Sequence, residues 1–340
     1  MVQTLADIGE FGLIRLIHKL TESEGARAPG VTLGIGDDCA SFRPDEGFEI
    51  LITCDCMIEG RHYLPERITP FDLGRRAMVM NISDIGAMGG IPLYALVSLG
   101  LKKDTTVKDI EDIYKGFIRE LTPLGAAIIG GNITGTDSST FINITMTGKV
   151  ESERMMRRSG ARAGDVILVT GCPGQAAAGL KRLIDGHFTG DLFIDPLVRA
   201  YNLPVHRARE GRAVALSDSA TAMIDISDGL MGDLGHICEE SGVGAEIIRN
   251  KLPISEHMRE LINPQERDIY ELIIGDSDDY ELIITCAPCN KEKVMAAIAE
   301  ISDVPVTEIG FITSRDGMKI ITPDGVRHPV RPTGWDHLKR

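Results

Sequence analysis

The chain has 340 residues, 43% of them hydrophobic and 25% charged, which is ordinary for a globular protein. Its length favours two domains over one. The formal net charge of −14 argues against general attraction to nucleic acid or to an anionic membrane. An anionic substrate would be repelled unless cations intervened.

The 7 cysteines indicate reduced thiols and a cytoplasmic protein, because their number is odd and no secretion signal precedes them. The N-terminal residues lack the basic start and apolar core of such a signal. No window reaches the roughly 18 apolar residues that a membrane span needs. Cys286 and Cys289 form a lone C-x-x-C, for which two partly buried thiols are favoured over structural zinc.

In the first half, apolar periodicity switches between helical and extended segments. The predicted elements, in order, are a helix at Glu10–Leu20, a strand at Glu49–Cys54, a helix at Thr69–Met88, a strand at Leu93–Leu101, a helix at Val107–Leu121, a short strand at Ala126–Ile129 and a strand at Thr140–Lys149. Asp37 and Asp38 lie in a glycine-flanked turn after the first helix.

The composition becomes charged between Val150 and Gly164, and we place a domain boundary there, giving domains 1–150 and 151–340. The elements predicted beyond it are a strand at Asp165–Thr170, a glycine-rich turn into a helix at 171–184, a polar loop at Gly186–Asp195, a helix at Leu197–Arg209 continued through Leu216, strands at Ala222–Ile226 and Gly244–Ile248, a helix at Ser255–Ile262, a strand or helix end at Glu271–Ile274, a strand within Asp276–Thr285, a helix at Lys291–Ile301 and a strand at Val306–Ile312. Both halves are therefore predicted to be α+β.

The most informative stretch is TAMIDISDGLMGDLG, at Thr221–Gly235. Its apolar run ends in Asp225, Ser227 and Asp228, and an amphipathic segment follows, as where a strand passes into the N-terminus of a helix. Backbone N–H groups and the positive end of a helix dipole are oriented at such a junction. A second stretch, NISDIGAMGG at Asn81–Gly90, has nearly the same form.

Acidic residues recur in this way, after strands or glycine turns, along the whole chain. They are Asp37, Asp38, Asp55, Asp84, Asp225, Asp228, Asp276, Asp278 and Asp279. Helix capping is the ordinary explanation for any one of them. Their recurrence at strand ends, where open α/β sheets bind ligands, favours carboxylates that hold Mg²⁺ on a polyphosphate.

The signatures of P-loop proteins, H-E-x-x-H metalloproteases, dinucleotide-binding folds and G-x-S-x-G hydrolases are absent from the sequence. Other features allow two interpretations each. His62 is either a substrate contact or a loop histidine, and Trp335 either stacks on a flat ring or anchors a core. The stretch GCPGQAAAGL either cradles an anion or packs a helix tightly on a strand, and Arg157 and Arg158 either neutralise phosphate or form a solvated hinge.

Nine motifs in a fixed order carry a resemblance to a known family. They are GEFGLI, GIGDDCA, TCDCMIEGRHYLP, MNISDIGAMG, IGGNITG, RSGARAGDVILVTGCPGQAAAGL, IDISDGLMGDLGHI, DDYEL and GWDHL. Together they resemble the thiamine-monophosphate kinases of the aminoimidazole-ribonucleotide synthetase superfamily. The resemblance implies an α+β fold of two domains, in which N-terminal ATP- and Mg²⁺-binding domains pair in a homodimer and the C-terminal domain completes the active site. It also implies transfer of the ATP γ-phosphate to thiamine monophosphate.

The resemblance further implies roles for single residues. Ligands of several Mg²⁺ ions would be Asp38, Thr53, Cys54 (through its backbone), Asp55, Asp84, Asn132, Asp225 and Asp228. Contacts to ATP would come from Gly131, Asn132, Arg158 and Ser227. Contacts to thiamine monophosphate would come from His62, Asp278 and Trp335.

Three positions depart from the family pattern. Cys54 stands where the family usually has Thr, Asn132 stands where it has Asp, and DSDDYEL replaces GGEDYEL. Asn132 keeps a carbonyl oxygen but lacks the negative charge, and Asp278 is one methylene shorter than Glu.

The implied chemistry needs no catalytic side chain. A phosphate monoester has a second pKa of about 6, so the acceptor is already an oxyanion at neutral pH. Direct in-line transfer then depends on positioning and charge neutralisation, and no phospho-enzyme is expected. Two alternatives remain, namely another ATP-using enzyme of the superfamily with a different acceptor, and a non-catalytic Mg–ATP-binding sensor.

Overall fold

The computed structural model describes residues 13, 16–23, 31–33, 41–42, 45–185, 194–260, 269–314 and 317–331. It divides into two compact units, unit 1 (Met1–Ile85 and Gly90–Ser152) and unit 2 (Gly86–Gly89 and Glu153–Arg340). Each mixes helices with a sheet, which confirms the predicted α+β class. In the part of the chain that is described, no helix is both long and apolar enough to cross a membrane.

Unit 1 begins with helix α1 at residues 16–23 and a two-stranded sheet of β1 (Val31–Leu33) and β2 (Ser41–Phe42). The remaining elements, in chain order, are β3 (Phe48–Ile58), α2 (Pro70–Ala87), β4 (Ile91–Leu101), α3 (Val107–Leu121), β5 (Ala127–Gly135) and β6 (Phe141–Glu151). These four strands form one sheet in the order β3-β6-β4-β5, in which only the β4–β5 pair is parallel.

From β3 onward the predicted order of strands and helices is confirmed, and α3 has the predicted bounds, but β1 and β2 were not predicted. Strand β5 is longer than the predicted Ala126–Ile129. Its second half, from Gly130 to Gly135, is largely exposed at the edge of the sheet, so it lacks the apolar pattern that predicts a strand.

One face of the sheet is buried under α2 and α3. The two helices approach so closely that a Cβ on Gly74 would lie 2.0 Å from the carbonyl oxygen of Ile113. Ile82 of α2, Phe117 of α3 and Ile144 of β6 are almost completely buried. This packing fixes α2 against strand β3, and both elements carry predicted site residues.

The other face of the sheet keeps apolar side chains exposed. Ile52 is 71% exposed, Leu96 41% and Ile58 36%. Cys54, also exposed, shares this face, because Cys54 and Leu96 both pair with Thr145 of β6. We call these four residues the open face.

Unit 2 contains the remaining elements. In chain order they are β7 (Val166–Thr170), α4 (Gln175–Ile184), α5 (Pro196–Asn202), α6 (Ala208–Leu216), β8 (Ala222–Asp225), α7 (Leu230–Ser241), β9 (Gly244–Ile248), α8 (Glu256–Glu260), α9 (Ile269–Ile274), β10 (Leu282–Cys286), α10 (Lys291–Ala299), β11 (Val306–Thr313), β12 (Gly317–Ile321) and β13 (Arg327–Val330). The strands form a seven-stranded sheet in the order β13-β12-β9-β11-β7-β10-β8.

Both faces of this sheet are buried near its β7–β10–β8 end. Ile167 and Val169 of β7 join one apolar cluster with α7, and Leu168 joins another with α6 and α10. Strand β10 is buried along its whole length, which agrees with its apolar sequence, interrupted only by the buried Thr285.

One prediction in unit 2 is wrong, and two strands of this unit were not predicted. The helix expected to run from Leu197 to Leu216 is broken between α5 and α6, because Pro204 has no N–H and disfavours helical geometry at Leu203. Strands β12 and β13 were not predicted, since β13 is exposed and contains Pro329. The turn at Asp37 and Asp38, Trp335 and most of the loop at Gly186–Asp195 lie outside the described residues.

Candidate functional site

Unit 1 brings two predicted metal ligands together. The Thr53 hydroxyl donates a hydrogen bond to Oδ2 of Asp84, which links the middle of β3 to α2. Thr53 shares a strand face with the buried Leu51 and Met57, because alternate residues of a strand point the same way. Asp55 lies on that face too, so its carboxylate is on the same side of the strand as Thr53.

The Cys54 side chain lies on the opposite face. Its sulfur is 3.5 Å from Oδ1 of Asn143 and accepts a hydrogen bond from the Thr145 hydroxyl at 3.4 Å. The thiol is therefore not beside Thr53 and Asp84. The predicted role of Cys54 through its backbone stays a prediction.

Gly131 and Asn132 lie on β5, at the opposite edge of the sheet from β3. Three strand spacings separate these edges, roughly 14 Å. Asn132 is exposed and pairs with Ser98 of β4. Within unit 1, Asn132 is thus not brought to the Thr53–Asp84 pair. Position 131 requires glycine, because a Cβ there would be 1.9 Å from the carbonyl oxygen of Val97.

His62 lies in the turn after β3. The backbone N–H of Ile58 donates to its Nδ1 at 2.9 Å. In this arrangement Nδ1 is the accepting nitrogen, so the ring proton is on Nε2. The same turn is anchored by Glu59, whose carboxylate accepts a hydrogen bond from Lys102 at 2.7 Å that lowers the pKa of Glu59.

Unit 2 gathers four predicted site residues at one end of its sheet. Asp225 ends β8 opposite Leu282, the first residue of β10. Beyond them, the Ile226 N–H donates to the carbonyl of Glu281 at 2.7 Å. The segment containing Asp225, Ser227 and Asp228 therefore lies alongside the segment that contains Asp278.

Two backbone features hold these segments together. The N–H of Tyr280 donates to the carbonyl of Ile226 at 2.8 Å, and Tyr280 has a φ of 54°, which is costly for a non-glycine residue. Gly229 has a φ of 118°, and a Cβ there would lie 2.2 Å from the carbonyl oxygen of Gly275. Backbone strain of this kind concentrates at functional sites.

The buried carboxylate of Asp279 caps the N-terminus of α4. Its carboxylate accepts the N–H groups of Gly174 at 2.6 Å and Ala176 at 2.9 Å, and the Ser277 hydroxyl accepts the N–H of Ala177 at 3.1 Å. These donors are occupied, so of the two interpretations of GCPGQAAAGL the structure favours tight packing. Burial raises the pKa of Asp279 to about 6.

Asp233 lies in the first turn of α7 and is only 2% exposed. Its Oδ2 accepts the N–H groups of Ser227 at 3.0 Å and of Asp228 and Gly229 at 3.1 Å each. Burial raises the pKa of Asp233 to about 7.

Glu281 forms a buried ion pair with Arg207. The guanidinium of Arg207 donates to both carboxylate oxygens, at 2.7 and 2.6 Å, and the Thr170 hydroxyl donates to the same carboxylate at 2.5 Å. The pair joins the start of β10 to the start of α6 and the end of β7.

Arg158 lies away from Ser227 in unit 2. Its carbonyl accepts a hydrogen bond from the Ser241 hydroxyl at 3.2 Å, at the C-terminal end of α7. Ser227 precedes the other end of this 12-residue helix, which is about 18 Å long. Asp38 and Trp335 lie outside the described residues.

The donor set fits Mg²⁺ in its chemistry. Thr53 with Asp84, and Asp225 with Asp228, supply hydroxyl and carboxylate oxygens, which Mg²⁺ prefers. Over the described residues, no group of three or more His, Cys, Asp and Glu side chains forms a metal site by itself. Mg²⁺ commonly binds through one or two carboxylates together with substrate phosphates and water, so the smaller groups are consistent with it.

Comparison with known proteins identifies the family. Residues 36–150 match the N-terminal domain of AIR synthase related proteins, and residues 162–322 match their C-terminal domain. The chain is 34% identical over 334 residues to thiamine-monophosphate kinase of Aquifex aeolicus, covering 98% of this chain and 99% of that protein. The chain belongs to the thiamine-monophosphate kinase family.

Solved structures of this family have the same fold. The crystal structure of thiamine-monophosphate kinase from Stenotrophomonas maltophilia superposes with a TM-score of 0.81 at 32% identity, covering 94% of this chain and 97% of that one. A structure described as AaThiL complexed with AMPPCP and TMP gives a TM-score of 0.75 at 30% identity, covering 99% of this chain and 100% of that one.

Sequence reasoning missed two groups in this member of the thiamine-monophosphate kinase family. Asp233 had a local signal, an acid in the first turn of a predicted helix. The Arg207–Glu281 pair joins residues 74 positions apart, and no local pattern connects them.

Proposed function

We propose that the protein transfers the γ-phosphate of ATP to thiamine monophosphate in a Mg²⁺-dependent reaction and produces thiamine diphosphate. The observation that carries the proposal is the convergence of Asp225, Ser227, Asp228 and Asp278 in unit 2. It is supported by the similarity of the whole chain to the structure described with AMPPCP and TMP.

The residues are assigned to three tasks. Oxygen ligands of Mg²⁺ are Asp38, Thr53, the backbone of Cys54, Asp55, Asp84, Asn132, Asp225 and Asp228. Contacts to ATP come from Gly131, Asn132, Arg158 and Ser227, and contacts to the acceptor come from His62, Asp278 and Trp335. When bound, Mg²⁺ would supply the positive charge that offsets repulsion between the two phosphates.

In this reaction the protein's side chains position and orient the two substrates and do not exchange protons with them. The acceptor phosphate is an oxyanion at neutral pH, so no general base is needed. His62, whose Nδ1 accepts the Ile58 N–H, contacts the acceptor through its imidazole ring. Transfer is direct and no phospho-enzyme forms.

A homodimer that pairs through the open face is part of the proposal. Exposed apolar side chains on one sheet face, Ile52 above all, are typical of a protein interface. Ile52→Lys should give a monomer in sedimentation equilibrium. Ile184→Lys, which changes a 66% exposed residue of α4, is the control and should leave the mass unchanged. A dimeric Ile52→Lys variant would argue against this interface.

A cytoplasmic location is also part of the proposal. It is supported by the odd number of cysteines, which is typical of reduced thiols.

The function is tested by incubating the protein with ATP and thiamine monophosphate, with and without Mg²⁺, and measuring thiamine diphosphate by chromatography. Product that requires both Mg²⁺ and ATP is expected. Consumption of ATP only with a different acceptor would favour another reaction of the superfamily, and tight Mg–ATP binding without turnover would favour a sensor. Either outcome would overturn the proposed reaction.

A further inference from the structure

One buried carboxylate organises the turn that carries two predicted ligands. Oδ2 of Asp233 accepts hydrogen bonds from three consecutive backbone amides, those of Ser227, Asp228 and Gly229, at 3.0 to 3.1 Å. These amides precede α7, so they have no partner within the helix. Three donors converging on one oxygen fix the path of the turn.

The arrangement is reciprocal. The N–H of Asp233 donates to the carbonyl of Gly229 at 3.0 Å, so Asp233 both donates to the turn and accepts from it. On its other side the turn packs against the backbone of Gly275, which lies so close to Gly229 that a Cβ there would be 2.2 Å from the Gly275 carbonyl oxygen. The backbone that carries Ser227 and Asp228 is thus held from two sides.

Asp233 is not itself placed to bind a ligand. The residue is 2% exposed, and the oxygen that accepts these bonds already has three donors. A group that orients the ligands of a metal without touching the metal typically affects its affinity roughly 10- to 100-fold.

We propose that Asp233 is a positioning residue, which holds the 227–229 turn so that Ser227 and Asp228 bind the Mg²⁺–polyphosphate. This inference rests on the proposed function. It predicts that loss of this carboxylate weakens Mg²⁺-dependent nucleotide binding. Loss of an equally buried carboxylate elsewhere in unit 2 should lower stability only.

Asp165 provides a matched control. It is also a buried aspartate of unit 2, 4% exposed, whose Oδ2 accepts the Arg162 N–H at 2.9 Å and the Thr221 hydroxyl at 2.7 Å. It lies beside Thr221, at the start of β8, and Asp225 is four residues further along the strand, roughly 13 Å away. Asp165→Ala removes a comparable buried acceptor without touching the turn.

The experiment measures the Mg²⁺ concentration needed for half-saturated binding of AMPPCP by the full chain, together with amide hydrogen exchange without metal. Asp233→Ala should raise that concentration roughly 10- to 100-fold and speed exchange at residues 227–229. Asp233→Asn keeps an accepting oxygen, so its Mg²⁺ requirement and its amide exchange at residues 227–229 should both be close to those of the wild type. Asp165→Ala should lower the melting temperature but change neither readout.

The proposal is overturned if Asp233→Ala binds Mg–AMPPCP as the wild type does, or if Asp165→Ala weakens binding equally. Should Asp233→Ala fail to fold, wild-type exchange decides, since unprotected amides at 227–229 would contradict the proposal. A wild type that binds Mg–AMPPCP but makes no thiamine diphosphate refutes the proposed reaction and leaves the role of Asp233 intact. A wild type that binds no Mg–AMPPCP overturns both.

Discussion

The hydroxyl of Thr53 on strand β3 donates a hydrogen bond to the carboxylate of Asp84 on helix α2. These residues are 31 positions apart in the chain and belong to different elements. Their meeting brings two predicted oxygen ligands to one point of unit 1, on the sheet face that the helices cover. The proposed Mg²⁺ chemistry of unit 1 depends on this contact.

Thr53→Val should therefore raise the Mg²⁺ concentration needed for half-maximal activity, about 10- to 100-fold if the hydroxyl orients or binds the ion. Valine keeps the β-branched shape and removes only the oxygen. Thr53→Ser, which keeps the hydroxyl, is the control. Steady-state kinetics at a range of Mg²⁺ concentrations makes the measurement, and equal Mg²⁺ requirements for Val and Ser would remove Thr53 from the site.

Gly131→Ala should destabilise the protein by about 1–3 kcal/mol, because the new Cβ meets the backbone of Val97 and the strands must separate. Gly135 lies on the same strand, and a Cβ there has no atom within 4 Å. Gly135→Ala should thus change stability little. Urea unfolding of both variants tests the difference, and equal midpoints would contradict the close β4–β5 approach.

Arg207→Met should cost about 3–5 kcal/mol of unfolding free energy, because it leaves the carboxylate of Glu281 buried without its cation. Lys181→Met breaks the exposed pair with Asp185 on α4 and should cost under about 1 kcal/mol. Chemical denaturation of the two variants compares them. Similar losses would mean that the Arg207–Glu281 pair is not desolvated.

Burial raises the pKa of Asp279 from its ordinary 3.8 to about 6. The folded state therefore binds a proton more tightly than the unfolded state, so this group's contribution to stability is present below pH 4 and is lost as the pH rises to 6. Relative to Asp279→Asn, the wild type should lose on the order of 2 kcal/mol of unfolding free energy between pH 4 and pH 6. Denaturation at pH 4, 5 and 6 measures the difference, and a constant gap would show that the pKa is ordinary.

Elements with regular apolar spacing could be predicted from the sequence. Helix α3 has the predicted bounds because its buried residues recur at helical intervals from Val107 to Leu121. Strand β13 could not be predicted, since it is held by pairing with β12 and buries almost none of its side chains. Pairing with a distant segment leaves no local pattern.

The residues of the candidate site divide in the same way, into those with a local sequence pattern and those brought together only by the fold. Asp84, Asp225 and Asp228 were predicted because each acid belongs to a recurring sequence form. Which of them meet could not be predicted, since Thr53–Asp84 is a tertiary contact and Asn132 lies at the far edge of the same sheet. The role of Asp279 at the start of α4 likewise joins residues about a hundred positions apart.

The central claim is tested most directly by a single turnover with γ-labelled ATP, thiamine monophosphate and Mg²⁺, followed by separation of protein, nucleotides and thiamine esters. Direct transfer predicts that the label appears in thiamine diphosphate at the rate at which ADP forms, and that the protein carries none at any time. Label on the protein, or label released as inorganic phosphate with no thiamine diphosphate, would contradict the account.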